Sequence, residues 1–209
     1  MKWVYDVFKH PLYILLHPIA GYEGMKRDGE GKLYVAILFV VLLSLYSVVS
    51  FNALGMIVNP NNPQDFNSIK QILFIIIPVF LFMIGNWSVT TLFDGKGSLK
   101  EIFMMLGYAL FPFVVLSFPN LVFSNFITLE EAQFYYMIQN VGLFLSGYML
   151  FFGMINIHEY SVSKTLLTTL VTIIAIGVMI FLFLLFFSLI QQFGSFVYGI
   201  YRELALRYF

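Results

Sequence analysis

The chain has 209 residues, of which 60% are hydrophobic, 19% aromatic and only 11% charged. Soluble domains carry about 25% charged residues, so this composition excludes a fold that must hide its apolar surface from water. The balance of 11 basic against 11 acidic residues excludes the general positive field of a nucleic-acid binder, and the absence of cysteine excludes disulfides, thiolate metal sites and thiol catalysis.

Residues 1–32 read as an N-terminal arm. Asp6, His10, His17, Glu23 and Asp28 interrupt it, leaving no sustained apolar core of a cleaved signal peptide. Trp3, Val4, Val7 and Phe8 face one way, Lys2, Asp6 and Lys9 the other, and Pro11 is expected to end the run. This pattern predicts an amphipathic helix lying in the membrane interface.

Five stretches then follow without a single Asp, Glu, Lys or Arg: 33–64, 71–93, 102–129, 132–158 and 165–201. Each exceeds the roughly 20 residues a helix needs to cross a hydrocarbon core of about 30 Å. Backbone groups facing lipid must be satisfied within their own segment, and the ten-residue alternation of a barrel is missing. The runs therefore predict helical spans near Leu33–Val58, Ile69–Phe93, Ile102–Phe126, Phe134–Ile157 and Thr165–Ile190. The fold class is all-α: a polytopic membrane protein with five transmembrane helices in one bundle, 33–190. Asn59-Pro60-Asn61-Asn62-Pro63 breaks the first helix. Ser68 with Gln71, Ser98 with Glu101 and Thr128 with Glu131 have capping-box spacing before the second, third and fourth spans. Asp94-Gly95-Lys96-Gly97 supplies a tight turn. The last stretch, about 55 Å as one helix, is too long for the core alone, so Gln191-Gln192 is expected to mark the interface. In the tail, 191–209, Phe193, Val197, Ile200, Leu204 and Tyr208 share an amphipathic face opposite Arg202. That tail either lies along the outer surface or extends the span.

Orientation follows from the basic residues. Lys2, Lys9, Lys26, Arg27, Lys32, Lys96, Lys100 and Lys164 fall on the side of the N terminus, against Lys70, Arg202 and Arg207 on the other. The expectation is a cytoplasmic N terminus and an extracytoplasmic C terminus.

The predicted spans contain no Asp, Glu, Lys, Arg or His, which argues against proton relays, ion-coupled pumps and voltage sensors. Their polar groups are neutral: Asn86, Asn120, Asn125, Gln139, Asn140 and Asn156. Interhelical hydrogen bonds of about 0.6 kcal/mol each are the ordinary use of such groups, with substrate recognition at Asn86 and Asn140 the rarer one. On the inner face His17, Glu23, Asp28, Glu30, Asp94, His158 and Glu159 lack metal-ligand spacing. They are expected to be solvated or headgroup-facing charges, with no metal and no cofactor. The nucleophile elbow and the phosphate loop are both missing, so no enzyme is expected. Lys26, Arg27, Lys32, Lys96 and Lys100 are expected against anionic headgroups, each worth about 1 kcal/mol.

The most distinctive run is Ser98-Leu99-Lys100-Glu101 followed by Gly107-Tyr108-Ala109-Leu110-Phe111-Pro112. Gly107 allows close helix approach. Pro112, with Pro119 seven residues on, bends the third span, and the Tyr108 hydroxyl can return to the polar groups so freed. This run resembles the Yip family (Ypt/Rab-interacting proteins). The segments His17-Pro18-Ile19-Ala20-Gly21-Tyr22-Glu23, Asp94 to Ser98 and His158-Glu159-Tyr160-Ser161 are similar to its bacterial branch. The Asp-Leu-Tyr-Gly-Pro segment of eukaryotic members is missing, and a Rab-type GTPase partner does not carry over. The resemblance implies a five-span protein of the cell membrane with a non-enzymatic role. That role is membrane organisation, or an accessory subunit binding another membrane complex such as a transporter, or itself. The alternative is a small-molecule or lipid carrier with a path along the kinked third helix beside Asn86 and Tyr108.

Overall fold

The computed structural model describes residues 2–208, apart from the side chains of Lys2, Leu204, Leu206 and Tyr208. All regular structure among the described residues is helical. The arm comprises a turn, α1 (Lys2–Val4), a π-helical turn Tyr5–Lys9, α2 (His10–Leu16) and α3 (Pro18–Arg27). The bundle follows as α4 (Leu33–Ala53), α5 (Ser68–Leu92), α6 (Leu99–Ala109), α7 (Phe111–Phe123), α8 (Ala132–His158) and α9 (Val162–Tyr208). With α6 and α7 counted together, five segments are long and apolar enough to cross a membrane. The protein is a multi-pass membrane protein.

Two expectations about the arm change. Pro11 does not end the first helix; it sits in the first turn of α2, where its missing N–H is not needed. The π-helical turn before it, closed by the His10 N–H on the Tyr5 carbonyl, loosens the ladder where proline removes a bond. The arm also does more than lie on a surface. Trp3, Val4, Phe8, Leu12 and Leu16 remain exposed along one face, while Val7, Ile14, Tyr22 and Met25 are buried in the main core. The Tyr34 hydroxyl at the start of α4 donates to Asp6, 2.6 Å away, and ties the arm to the bundle. Among the tail and arm residues assigned to faces, the side chains of Lys2, Leu204 and Tyr208 lie outside the described residues.

The spans alternate direction. The link 28–32, the turn 93–98 and the link 159–161 meet at the arm end. Leu54 to Asn67 and the α7–α8 link meet at the far end, where the Ser124 hydroxyl accepts from the Gly55 N–H at 3.0 Å and Asn125 donates to the Ala53 carbonyl at 3.0 Å. The first span stops at Ala53, before its predicted end at Val58. The third span is the most buried of the five, with Ile102, Met105, Leu106, Gly107, Tyr108 and Ala109 all enclosed. It breaks at Leu110, whose N–H is shared between the carbonyls of Leu106 and Gly107, both at 3.2 Å. Pro112 lies in the first turn of α7 rather than inside a bent helix.

Capping follows the expectation at one of three positions. Ser98 and Glu101 exchange both bonds of the box. At α5 the cap is Asn67, which accepts from the Lys70 N–H, while Gln71 instead accepts from the Ser47 hydroxyl on α4. Thr128 donates through both its N–H and its hydroxyl to Glu131, but this closes a turn that precedes α8.

α9 is unlike the other spans. Thr165, Thr168 and Thr172 are buried, their hydroxyls donating to carbonyls one turn back, so a polar residue can face a neighbouring helix. Gly85 of α5 comes against Ile176 here. Beyond Met179 every residue through Glu203 is exposed. The helix continues unbroken through Gln191-Gln192, so the tail prolongs the last span as one helix. Its 47 residues extend about 70 Å, twice the hydrocarbon thickness.

Candidate functional site

Segments far apart in sequence converge at the arm end of the bundle. α5 closes through a turn in which Asp94 has φ 56° and the Gly95 N–H donates to the Thr90 carbonyl at 2.7 Å. α8 closes at Glu159, with φ 55°, and the Glu159 and Tyr160 N–H groups both donate to the Ile155 carbonyl. A left-handed residue satisfies the last carbonyls of a helix while turning the chain. Neither residue is glycine, so each conformation is held by its surroundings.

His158 is the centre of this end. It is 1% exposed, and its Nε2 lies 2.9 Å from Asn86 Oδ1. An amide oxygen only accepts, so the ring nitrogen donates there. Asn86 in turn donates to the Thr172 hydroxyl at 3.5 Å, and its carbonyl accepts from Thr90 at 2.7 Å. One polar thread thus joins α5, α8 and α9. The Tyr160 ring stacks on His158 with centroids 5.4 Å apart, and its hydroxyl donates to the Phe93 carbonyl at 2.9 Å. Lys164 places its ammonium 4.4 Å from the Tyr160 ring centre, a cation–π distance. Gly95 and Gly97 lie directly on the imidazole: a Cβ on either would come within 2.8 Å of His158 ring atoms.

Above this layer Glu159 receives Lys96 at 2.6 Å and Lys26 at 3.0 Å. Lys26 also donates to the Ile157 carbonyl at 2.7 Å, so arm, turn and link share one clasp. The hydrogen bonds from Lys96, then Lys26, hold the Glu159 carboxyl down from 4.5 to about 2, against an opposing desolvation effect. A carboxylate whose pKa falls on folding contributes stability that is fully present above its unfolded value and lost as pH falls through the folded one. The clasp is therefore expected to weaken from about pH 4.5 downward. Lys96→Met should flatten that acid dependence, read as thermal midpoints in detergent between about pH 6 and about pH 3. Identical pH profiles for wild type and variant would remove the clasp from the account.

A second node lies one layer away. Tyr108, fully buried, accepts the Lys32 N–H at 3.0 Å and so caps the entrance to α4. The expected bond to groups freed by Pro112 is not the one it makes. His10 packs edge-on to the Tyr108 ring at 5.5 Å, and its Nε2 is 3.6 Å from Glu30. Burial pushes the His10 pKa below the usual imidazole range, with Glu30 pulling the other way. Gly107 touches α4 directly: a Cβ there would lie 2.5 Å from both Ala36 Cα and Ala36 Cβ.

Of the candidate residues, Asn86, Lys26 and Lys96 meet at the His158–Glu159 layer, and Gly107, Tyr108 and the Lys32 backbone meet at the second node. Pro112 stands apart, at the start of α7. Asn140 is exposed on α8 and does not join Asn86. Arg27 pairs with Glu23 at 2.6 Å, Lys32 Nζ donates to the Gly29 carbonyl at 3.3 Å, and Lys100 is exposed at the start of α6. His158 was expected to be a solvated charge and is instead buried, because the 94–97 turn and the Tyr160 ring close over it and Asn86 meets it from α5. Thr172 and Thr90 were missed altogether and carried no signal apart from their neighbours in space; Tyr160 entered only within the segment of family likeness. At the far end Gln139 bridges the Tyr46 hydroxyl at 2.7 Å and the Ser117 hydroxyl at 3.2 Å, and Asn120 donates to the Tyr135 carbonyl at 3.0 Å. These residues join helices, as interhelical hydrogen bonds do.

The family model described as the Yip1 domain matches residues 12–187, from α2 into the exposed part of α9. No curated protein and no solved structure matches the chain.

Proposed function

The chain belongs to the Yip1 domain family, and from that membership we propose that it is a non-enzymatic membrane protein acting by helix–helix association. Its role is membrane organisation, or that of an accessory subunit bound to another membrane complex such as a transporter, or to itself. One observation carries the reading: from Ile180 to Ile190 every residue of α9 is exposed and, Ser188 apart, apolar. The reactive side chains at the arm end also support it, since His158 is engaged with Asn86, and Glu159 with Lys26 and Lys96.

A photocrosslinker replacing Phe186 on free α9 tests this, with the same group at Phe144, exposed on α8, as the lipid-facing control. In native membranes Phe186 is expected to give a discrete adduct with a membrane protein or a second copy of the chain, and Phe144 only lipid. Lipid adducts alone from both positions would overturn the reading.

The carrier reading has less support. Tyr108 and Asn86 are 0% and 1% exposed, and both are already hydrogen-bonded within the bundle. We further propose that the protein resides in the cell membrane with the arm cytoplasmic and the C terminus extracytoplasmic, as the basic residues favour. A reporter fused before Met1 is expected to be active only in the cytoplasm and one after Phe209 only outside it. Activity of both in one compartment would overturn a topology of five crossings, and activity of each in the other's compartment would reverse it.

A further inference from the structure

Beside the Glu159 clasp, between α3 and the end of α8, lies a cavity of about 210 Å³. Its polar lining is Glu23, Lys26, Arg27, Asn156, Glu159 and Tyr160. Three properties define what it takes. Its depth is that of the headgroups, because α8 ends two residues after Asn156 and the charged arm begins there. Its size falls short of the roughly 300–1,000 Å³ of sites that enclose whole drug-sized ligands. Its charge is mixed, two cations and two carboxylates in one wall.

The hydrogen-bonding capacity left over is also of both signs. Lys26 gives protons to the Ile157 carbonyl and Glu159, and Arg27 gives one N–H to Glu23. Donors remain on both side chains. Asn156 spends its amide N–H on the Phe152 carbonyl at 2.7 Å, which leaves its oxygen to accept, as does the second oxygen of Glu23. An anion alone would meet Glu23 and Glu159 in the same cavity, and a cation alone would meet Lys26 and Arg27.

We infer that this cavity is a binding site for a zwitterionic phosphoethanolamine headgroup. The phosphate sits toward Arg27 and Lys26, the primary ammonium toward Glu23 and the Asn156 oxygen. The acyl chains descend along α8 past Phe152. A choline headgroup matches in charge but has no N–H to donate to the acceptors. This site goes beyond the partner-binding reading and is independent of which protein α9 engages.

The test uses the delipidated full chain in mild detergent. It is offered equal amounts of dioleoyl phosphatidylethanolamine, phosphatidylcholine and phosphatidylglycerol, with retained lipid read by native mass spectrometry. The ethanolamine lipid is expected to be retained about fivefold over each of the others, the scale of one net hydrogen bond from the primary ammonium. Glu23→Gln should reduce that preference to near parity with choline lipid, and Arg27→Gln should lower retention of all three. Both side chains are largely exposed, and thermal midpoints report whether either variant is misfolded. Lys70→Gln, an exposed basic residue at the opposite end of the bundle, should leave the preference unchanged. Equal retention of the three lipids by the wild type, or a preference for phosphatidylglycerol, overturns the proposal without reference to any variant. So does an ethanolamine preference that survives both cavity substitutions.

Discussion

Gly107→Leu is expected to prevent recovery of folded protein from detergent, and Gly107→Ala to lower its stability toward the upper end of the about 1–3 kcal/mol typical of overpacking. The reason is the direct approach of α6 to α4: the Cβ position at 107 lies 2.5 Å from Ala36 Cα and 2.7 Å from the Ala36 carbonyl oxygen. A flexible neighbour could swing away, but backbone cannot, so relief requires moving two helices apart in the most buried part of the bundle. Gly177 is the matched control. It lies on α9 with nothing near its Cβ position, and Gly177→Leu should stay within about 0.5 kcal/mol of wild type. Adding Ala36→Gly to Gly107→Ala removes one of the close atoms and should restore part of the loss. The measurement is unfolding by heat or by added denaturing detergent. A Gly107→Ala protein as stable as wild type would mean that α4 and α6 do not meet as described.

The second large effect is expected at the His158–Asn86 pair. A hydrogen bond between spans is worth only about 0.6 kcal/mol, yet stranding a buried partner costs about 1–3 kcal/mol. The orphan therefore outweighs the bond. Asn86→Leu leaves both imidazole nitrogens without a side-chain partner, and should cost about 1–3 kcal/mol. His158→Phe keeps a ring for Gly95, Gly97 and Tyr160 to rest on but strands the Asn86 oxygen, with a similar loss. Because one interaction is removed twice, the double variant is expected to be more stable than the sum of the singles by about 1 kcal/mol or more. Strict additivity would show that the two side chains do not act as a pair. Protease cleavage within 94–97 gives a second readout: it should rise in Asn86→Leu only if the His158 layer holds that turn in place.

How much of this was legible depends on whether the signal was local. The Ser98–Glu101 box was readable because both its bonds connect residues three apart, whereas the equally spaced Ser68–Gln71 was misleading because Gln71 has a better-placed partner in Ser47 on α4. His158 looked like a surface charge because it follows the last apolar residue of a span and precedes a glutamate. Nothing nearby announces that Asn86, 72 positions earlier, reaches the same depth in the bundle. Asn140 shows the reverse: an amide in mid-span invited an inward role, but the helix turns it outward. α4 explains why such errors arise. Its buried residues, Val35, Ala36, Phe39, Val40, Leu43, Ser44 and Tyr46, form a helical stripe, while its exposed residues are just as apolar.

By itself the amino-acid sequence determined that the protein lies in a bilayer and that it crosses five times, and it carried the likeness to the Yip family. Those properties follow from uninterrupted apolar length and from short spacings, which need no knowledge of what lies alongside. The tertiary structure alone decided that the third span is two helices with Gly107 pressed on Ala36, and that His158 turns inward to Asn86. It alone showed Lys26 and Lys96 sharing Glu159, and α9 leaving the bundle halfway. In lipid, apolar residues gain nothing by facing a neighbouring helix rather than the membrane, so polarity does not record which way a side chain points. Close packing and the pairing of a few polar groups decide that, and both exist only once the helices are side by side.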